Sequence, residues 1–302
     1  MSICLYLENQ IFSSLLVISW ERIKLKNDEL VTPVVKWVGG KRQLLPEIKK
    51  YIPSHYSTYY EPFVGGGAVL FHLQPKKAVI NDINEELINL YQVIKDNVDE
   101  LIEDLKKHKN EAEYFYKIRE LDRDIEKYRK LSPVQKASRI HYLNKTCYNG
   151  LFRVNSQGQF NTPFGRYKNP NIVNEATLRA VSEYFNRANI TFKCCDFEEA
   201  VKGARKGSFI YFDPPYDPIS DTSSFTGYDK GGFNREEQKR LKKLCDRLDK
   251  RGINFLLSNS KTEFILELYK DYNIEIVQAN RTINSKGNGR GAVDEILVMN
   301  YG

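Results

Sequence analysis

The run Ser208-Phe209-Ile210-Tyr211-Phe212 ends abruptly at Asp213-Pro214-Pro215-Tyr216. An apolar, aromatic-rich stretch of that length, closed by prolines, reads as a buried β-strand. Open α/β sheets place their ligands at the carboxyl ends of such strands. Here that end carries a carboxylate, a proline-fixed backbone and an aromatic ring. The set suits a planar base bearing an exocyclic amine. Asp213 can accept one N–H, the Pro214 carbonyl the other, and Tyr216 can stack on the ring. A turn that merely stops a strand would use the same four letters, so the surrounding chain must decide.

A second block supports a ligand site. Tyr59-Tyr60-Glu61-Pro62-Phe63-Val64-Gly65-Gly66-Gly67 runs into Ala68-Val69-Leu70-Phe71, a strand, glycine loop and helix. That loop occupies the nucleotide position of a doubly wound sheet. It has neither the GxGxxG spacing of a pyrophosphate site nor the GxxxxGK[ST] of a P-loop, so a nucleoside without phosphates fits better. Ala78-Val79-Ile80-Asn81-Asp82 reads as the next strand, closed by an acid. Asp82 can hold ribose hydroxyls or cap the following helix. Upstream, Trp37-Val38-Gly39-Gly40-Lys41 places two glycines after an indole and a lysine where a helix begins. Such a segment lets backbone approach a ligand closely, or is a glycine turn with a solvated lysine.

From Glu85 to about Arg129 the pattern is helical, with Leu87, Leu90, Tyr91 and Ile94 tracing one apolar stripe. Ser132-Pro133 caps a further helix reaching about Tyr148. Then Tyr148-Asn149-Gly150-Leu151-Phe152-Arg153-Val154-Asn155 and Gln159 to Lys168 flank Ser156-Gln157-Gly158, a hairpin turn. Arginines, amides and aromatics interleave there with almost no acid, a surface for base edges and stacking, or simply an exposed hairpin. Strands resume at Ile190–Asp196, Phe255–Leu257, Glu275–Val277 and Glu295–Asn300. Asn234 caps a helix running to about Arg251. Residues 217–233 have the composition of a lid, and 281–290 that of a basic loop able to reach phosphates.

Charge adds little: 46 Lys plus Arg against 39 Asp plus Glu gives +7 over 302 residues, a mild lean towards polyanions. The five cysteines have no CxxC or Cys/His ligand spacing, so reduced thiols are expected, with neither disulfide framework nor metal site. The apolar stretch Ile11–Trp20 falls well short of the ~20 residues that span a bilayer. With no basic segment before it, it reads as a packing arm, or as the mark of a start placed too far upstream, rather than a signal. A cytoplasmic protein with no membrane association is expected.

KWVGGK, EPFVGGG, an acid closing the next strand, and DPPY, in this order and with a long insert before DPPY, closely resemble the Dam-type DNA adenine-N6 methyltransferases. Within that group the chain is similar to the DpnM-like modification methylases, of the alpha group and D12 class. The resemblance covers residues 33–302 and includes YNGLFR, FNTPFGRY and the terminal RGAVDEILVMNY; the N-terminal arm, 1–32, departs from it. It implies a Rossmann-like methyltransferase sheet formed by 33–95 and 186–302, with a mainly helical target-recognition insert, 96–185, carrying the hairpin. It also implies S-adenosylmethionine as cofactor, held by Trp37, Lys41, Asp82 and Asp213 over the Gly65–Gly67 loop, with Phe63 and Asp196 beside them. Asp213, Pro214, Pro215 and Tyr216 would act on an adenine flipped out of double-stranded DNA. GATC is the expected target. Arg153 would read guanine, and Leu151 and Pro163 would touch a thymine methyl. Tyr148 and Asn149 would fill the gap left by the flipped base, while Arg166 and Lys168 hold phosphates. A monomer serving beside a cognate restriction endonuclease is expected. Two other classes compete. An RNA or protein-glutamine methyltransferase could share the sheet, but the glutamine enzymes carry Asn in place of Asp213. A DNA-binding protein without catalysis would explain the hairpin but not the cofactor loop.

Overall fold

The computed structural model describes residues 28–219, 232–280 and 292–302. Expectations for the arm before Asp28, for most of the lid and for the basic loop at 281–290 lie outside the described residues. Seven strands form one sheet: β1 (Tyr59–Glu61), β2 (Lys77–Asn81), β3 (Asn189–Lys193), β4 (Phe209–Phe212), β5 (Asn254–Ser260), β6 (Asn273–Asn280) and β7 (Ala292–Met299). Their order is β3-β2-β1-β4-β5-β7-β6. The pairings β3-β2-β1-β4-β5 are parallel, and β7 runs antiparallel between β5 and β6. This is the Rossmann-like α/β sheet of the expected class. Its first five strands follow the 3-2-1-4-5 order of a doubly wound fold.

The helices follow from local signals. Leu45–Tyr51 (α1) and Ala68–Leu73 (α2) lie either side of β1 in the chain, and Glu85–Asp96 (α3), Val98–Leu105 (α4), Ala112–Arg119 (α5), Ile125–Arg129 (α6) and Pro133–Thr146 (α7) follow β2. Then come Glu175–Arg187 (α8), which leads into β3, Phe197–Ala200 (α9) after it, and Arg235–Lys250 (α10) and Glu263–Leu268 (α11) either side of β5. Asn84 caps α3 by accepting from Leu87 N, and Glu85 and Glu86 complement the dipole of its first turn. The anticipated stripe Leu87, Leu90, Tyr91 and Ile94 is fully buried. At roughly 1.5–3 kcal/mol per large side chain, that burial is what holds α3 on the sheet. Ser132 and Gln135 form a reciprocal capping box for α7, with Pro133 in its first turn.

The stretch read as helical up to Arg129 is interrupted at Asn97, where φ is −138°, and again between α4 and α5. One apolar cluster joins both parts of the chain. It holds Ile80 and Tyr211 of the sheet together with Leu101, Phe115, Tyr142 and Leu143 of the helical insert. Among the described residues no helix is long and apolar enough to cross a membrane. Cys147, Cys194, Cys195 and Cys245 are free thiols.

Candidate active site

Strand order reverses between β1 and β4, so the loops leaving their carboxyl ends diverge around a crevice. The loop after β1 is the glycine loop. Gly65 has φ +47°, and a Cβ there would lie 2.7 Å from Cδ1 of Trp37. Gly67 has φ +71°, and a Cβ would meet the Phe71 ring at 2.8 Å. Both positions therefore exclude side chains on two counts. Asp82, at the end of β2, accepts from Gly65 N at 3.0 Å and from Asn84 N at 2.9 Å. Asn84, not Asp82, caps α3, so the capping alternative falls to its neighbour and Asp82 shapes the glycine loop. Tyr91 Oη donates to the Gly65 carbonyl at 2.7 Å. Asn81 spans three strand ends, donating to the carbonyls of Pro62 and Cys195 while accepting from Cys195 N.

The loop after β4 is Asp213-Pro214-Pro215-Tyr216. Lys41 comes to it from the upstream segment: Nζ lies 2.7 Å from Asp213 Oδ1, donates to the Gly39 carbonyl at 2.7 Å, and sits 4.6 Å from the centre of the Tyr216 ring. Lys41 is buried, which excludes the reading of a solvated lysine. On its other side Tyr216 donates its hydroxyl to Glu295 Oε2 at 2.8 Å. The ring is thus held by an ammonium over its face and a carboxylate at its tip. Burial raises the Asp213 carboxyl to about 6 despite the opposing pull of Lys41, and Glu295 adds to the rise. Burial likewise lifts Glu61, at the end of β1, to about 8, although a hydrogen bond from Tyr59 opposes it.

A buried polar network fixes the floor of this turn. Gln238 of α10 donates to the Pro215 carbonyl at 2.8 Å and accepts from Asn259 Nδ2 at 3.0 Å. Asn259 accepts from Asp217 N, Ser260 donates to the Asp217 carbonyl, and Thr262 and Arg235 hold the Asp217 carboxylate. The Pro214 carbonyl receives no hydrogen bond from the described residues, so it is available to a ligand donor.

The remaining cofactor candidates flank this centre. Phe63 packs on Phe197 at 5.4 Å and edge-on against Phe233 at 5.6 Å. Asp196 caps α9 through Glu198 N and pairs with Arg240. Trp37 stacks on Phe152 at 4.9 Å and 20°, which brings the hairpin to the edge of the glycine loop.

The hairpin turn lies where expected, with Gly158 N donating to the Asn155 carbonyl at 2.9 Å. Its arms, however, pair through two isolated antiparallel bridges, Cys147–Phe164 and Val154–Phe160. Helices supply the missing support. Asp122 accepts from Phe160 N at 2.7 Å, Arg123 donates to the Phe160 carbonyl at 2.7 Å, and Asn144 of α7 donates to the Gly150 carbonyl at 3.0 Å. Asp122 is in turn held by the fully buried Arg139, 2.8 Å away. Tyr148, Asn149, Arg153, Pro163, Arg166 and Lys168 are exposed, and Leu151 is partly buried. Arg153 rests on the Asn161 side chain at 2.8 Å.

Glu61, Asn81, Asn144, Gln238, Asn259 and Glu295 escaped the reading of the sequence. Only Glu61 left a usable signal: like Asp82 and Asp213, it is an acid just past or at the end of a buried strand beside a proline or loop.

A glycine-walled crevice flanked by acids, with one buried lysine and aromatic faces, defines a nucleoside-type site on a methyltransferase sheet. The family model for D12 class N6 adenine-specific DNA methyltransferases matches residues 37–283, and the chain belongs to that family. Among relatives, a Type II methyltransferase of Lactococcus lactis subsp. cremoris, M1.LlaDCHI, is 50% identical, over 92% of this chain and 98% of its own length. Type II methyltransferase M.MjaIII of Methanocaldococcus jannaschii is 44% identical, over 90% and 99%. The DNA adenine methylase of Escherichia coli strain K12 is 36% identical, over 88% and 94%. The protein is therefore an adenine-specific DNA methyltransferase, and its methyl donor is S-adenosylmethionine. The site fits that molecule. Its glycine loop packs closely on Trp37 and Phe71, where a Cβ would intrude, and the crevice offers the Asp82 and Asp213 carboxylates and the Lys41 ammonium to a zwitterionic nucleoside. Among the described residues no cluster of His, Cys, Asp and Glu could hold a metal.

Proposed function

We propose that this protein methylates adenine N6 in double-stranded GATC, on a base flipped out of the helix, as the modification partner of a restriction endonuclease. The observation that carries the reading is the arrangement around Asp213: Lys41 2.7 Å from its carboxylate and 4.6 Å over the Tyr216 ring, beside a Pro214 carbonyl that receives no hydrogen bond from the described residues. S-adenosylmethionine, when bound, supplies a methyl group on a sulfonium, which is already an excellent leaving group. What remains is the amine, whose lone pair is delocalised into the adenine ring. Asp213 and the Pro214 carbonyl each accept one N6 proton, favouring a more tetrahedral nitrogen with its lone pair aimed for displacement. Tyr216 stacks on the base, with its ring held in place by Lys41 and Glu295. Asp213, or a water, takes up the released proton. Trp37, Lys41, Phe63, Asp82 and Asp196, around the Gly65–Gly67 loop, hold the cofactor.

The segment 96–185 serves as the recognition unit in this reading, and the chain acts as a monomer. GATC is supported by the likeness of YNGLFR and FNTPFGRY to the recognition segment of GATC adenine methylases. The restriction role is supported by the Type II methyltransferases among the relatives. Asp213→Ala should abolish nearly all transfer while leaving the far-ultraviolet spectrum and melting behaviour of a folded protein. The wild type, expressed in a methylation-free host and followed by sequencing of modified bases, should mark GATC. Wild-type rates in Asp213→Ala would refute the assigned chemistry, and marks on another sequence would refute the target.

A further inference from the structure

We infer that Phe152 is a positioning residue that ties the target hairpin to the cofactor site, so that duplex and cofactor bind cooperatively. The inference rests on the reading of the hairpin as the DNA-recognition element.

Along the first arm the side chains alternate: Arg153 is exposed, while Phe152 between it and Leu151 is turned inward and only 8% exposed. Inward, Phe152 stacks on Trp37 and meets Phe160 of the opposite arm edge-on at 5.7 Å. The indole in turn lies against the glycine loop, its Cδ1 2.7 Å from where a Gly65 Cβ would be, while Trp37 Cβ is 3.2 Å from that of Gly66. Two stacked rings, Phe152 and Trp37, therefore link the arm that carries Arg153 to the glycine loop.

A second link makes this junction rigid. The side chain of Asn144 accepts from Lys36 N and donates to the Lys36 carbonyl, both at 2.8 Å, and also donates to the Gly150 carbonyl. Lys36 precedes Trp37, and Gly150 opens the arm that carries Phe152. A Cβ at Gly150 would lie 2.5 Å from Lys36 Cδ and 3.0 Å from its Cβ, so the Lys36 side chain packs directly on the Gly150 backbone. Asn144 thus holds the two chain segments in register, and the ring stack transmits a shift of either one to the other. Anything that fixes the arm fixes the indole, and by linkage the converse holds to the same factor.

The test is a thermodynamic square. The affinity for S-adenosylhomocysteine is measured by calorimetry with and without a saturating duplex that the wild-type protein has been shown to methylate. Duplex affinity is measured with and without S-adenosylhomocysteine. In the wild type each ligand should tighten the other by about fivefold or more, within the usual range of coupling between sites. Phe152→Leu keeps an apolar side chain of moderate volume, which cores tolerate, but removes the stacked ring. It should bring the coupling factor close to one while each ligand alone still binds. Phe152→Tyr, which keeps the ring, should retain the coupling. Full coupling in a folded Phe152→Leu protein, or no coupling in the wild type, overturns the inference. A failure of the hairpin reading would show itself separately, as hairpin substitutions that leave duplex affinity and sequence preference unchanged.

Discussion

At the scale of single residues, the chemistry lies in acids that end strands. Glu61, Asp82 and Asp213 close β1, β2 and β4: Glu61 holds a proton in a buried place, Asp82 shapes the glycine loop, and Asp213 is the acid proposed to meet the amine. The positions of Asp82 and Asp213 could be read from the sequence because each acid sits beside a glycine block or a proline pair. The bond from Gly65 N to Asp82 could not, since the sequence offered only ribose hydroxyls or a helix cap. Nor could the partners that orient these acids. Glu295 reaches Tyr216 from 79 positions away, and Gln238 reaches Pro215 from 23 positions away, and no local pattern announces such a meeting. Glu61 carries a prediction of its own. Folded, it keeps its proton up to about pH 8, whereas the unfolded chain releases it near 4.5. Between those values the folded state binds more protons, so this group's contribution to stability falls as pH rises. Gln has no proton to lose and can still accept from Tyr59. Glu61→Gln should therefore gain stability over the wild type across that window and level off above about pH 8. Denaturant unfolding at a series of pH values measures it, and a constant difference between the two proteins would disprove the assignment.

At the scale of elements, strand existence was legible and strand neighbourhood only partly so. The two motif blocks, the glycine loop and DPPY, marked the carboxyl ends of β1 and β4, which the structure places either side of the switch point. The insertion of β7 between β5 and β6 was not anticipated, though its cause is visible afterwards. Ile296-Leu297-Val298 is an unbroken apolar run and is fully buried, as a strand covered on both faces must be. Asn273-Ile274-Glu275-Ile276 alternates and leaves Ile276 53% exposed, as an edge strand allows. The hairpin shows the opposite case, with a correct turn but arms too sparsely bridged to be a regular ladder, because Asp122, Arg123 and Asn144 do the holding. That support demands close approach at Gly165, whose Cβ would lie 2.7 Å from the Cys147 carbonyl oxygen and from the Tyr167 ring. A backbone oxygen cannot swing aside, so Gly165→Ala should cost ~1–3 kcal/mol in overpacking. Its lowered unfolding midpoint should come with a larger loss of duplex affinity than of cofactor affinity. An equally stable variant with unchanged duplex binding would show that this arm is free to shift.

At the scale of the whole molecule, the candidate site lies at the carboxyl ends of the central strands β1 and β4, and the Trp37–Phe152 stack brings the hairpin beside it. The net charge of +7 is modest for a protein that binds a polyanion, so placement of the cations matters more than their number. Around the hairpin, Arg153, Arg166 and Lys168 are exposed. Arg166 has φ +54°, and Asn110 donates to the Tyr167 carbonyl at 2.7 Å, which ties the backbone between Arg166 and Lys168 to the helical segment. Arg153 differs: its guanidinium rests on Asn161, with Nε donating to the side chain at 2.8 Å and Nη2 to the carbonyl at 3.4 Å, and in the proposed reading its remaining N–H groups meet a guanine edge. The two kinds of contact predict separable effects. Arg166→Ala and Lys168→Ala should each weaken binding to all sequences alike, and each should reduce the slope of log affinity against log salt by roughly 0.9. Arg153→Ala should instead cost ~1–3 kcal/mol of discrimination at one guanine of the site, because a bidentate base contact carries sequence information and a phosphate contact does not. The measurement is duplex affinity over a salt series, repeated with each outer base pair of GATC changed in turn. If Arg153→Ala lowers only the salt slope and keeps wild-type preference at every position, the arginine is a phosphate clamp, and sequence reading must move to another part of the hairpin.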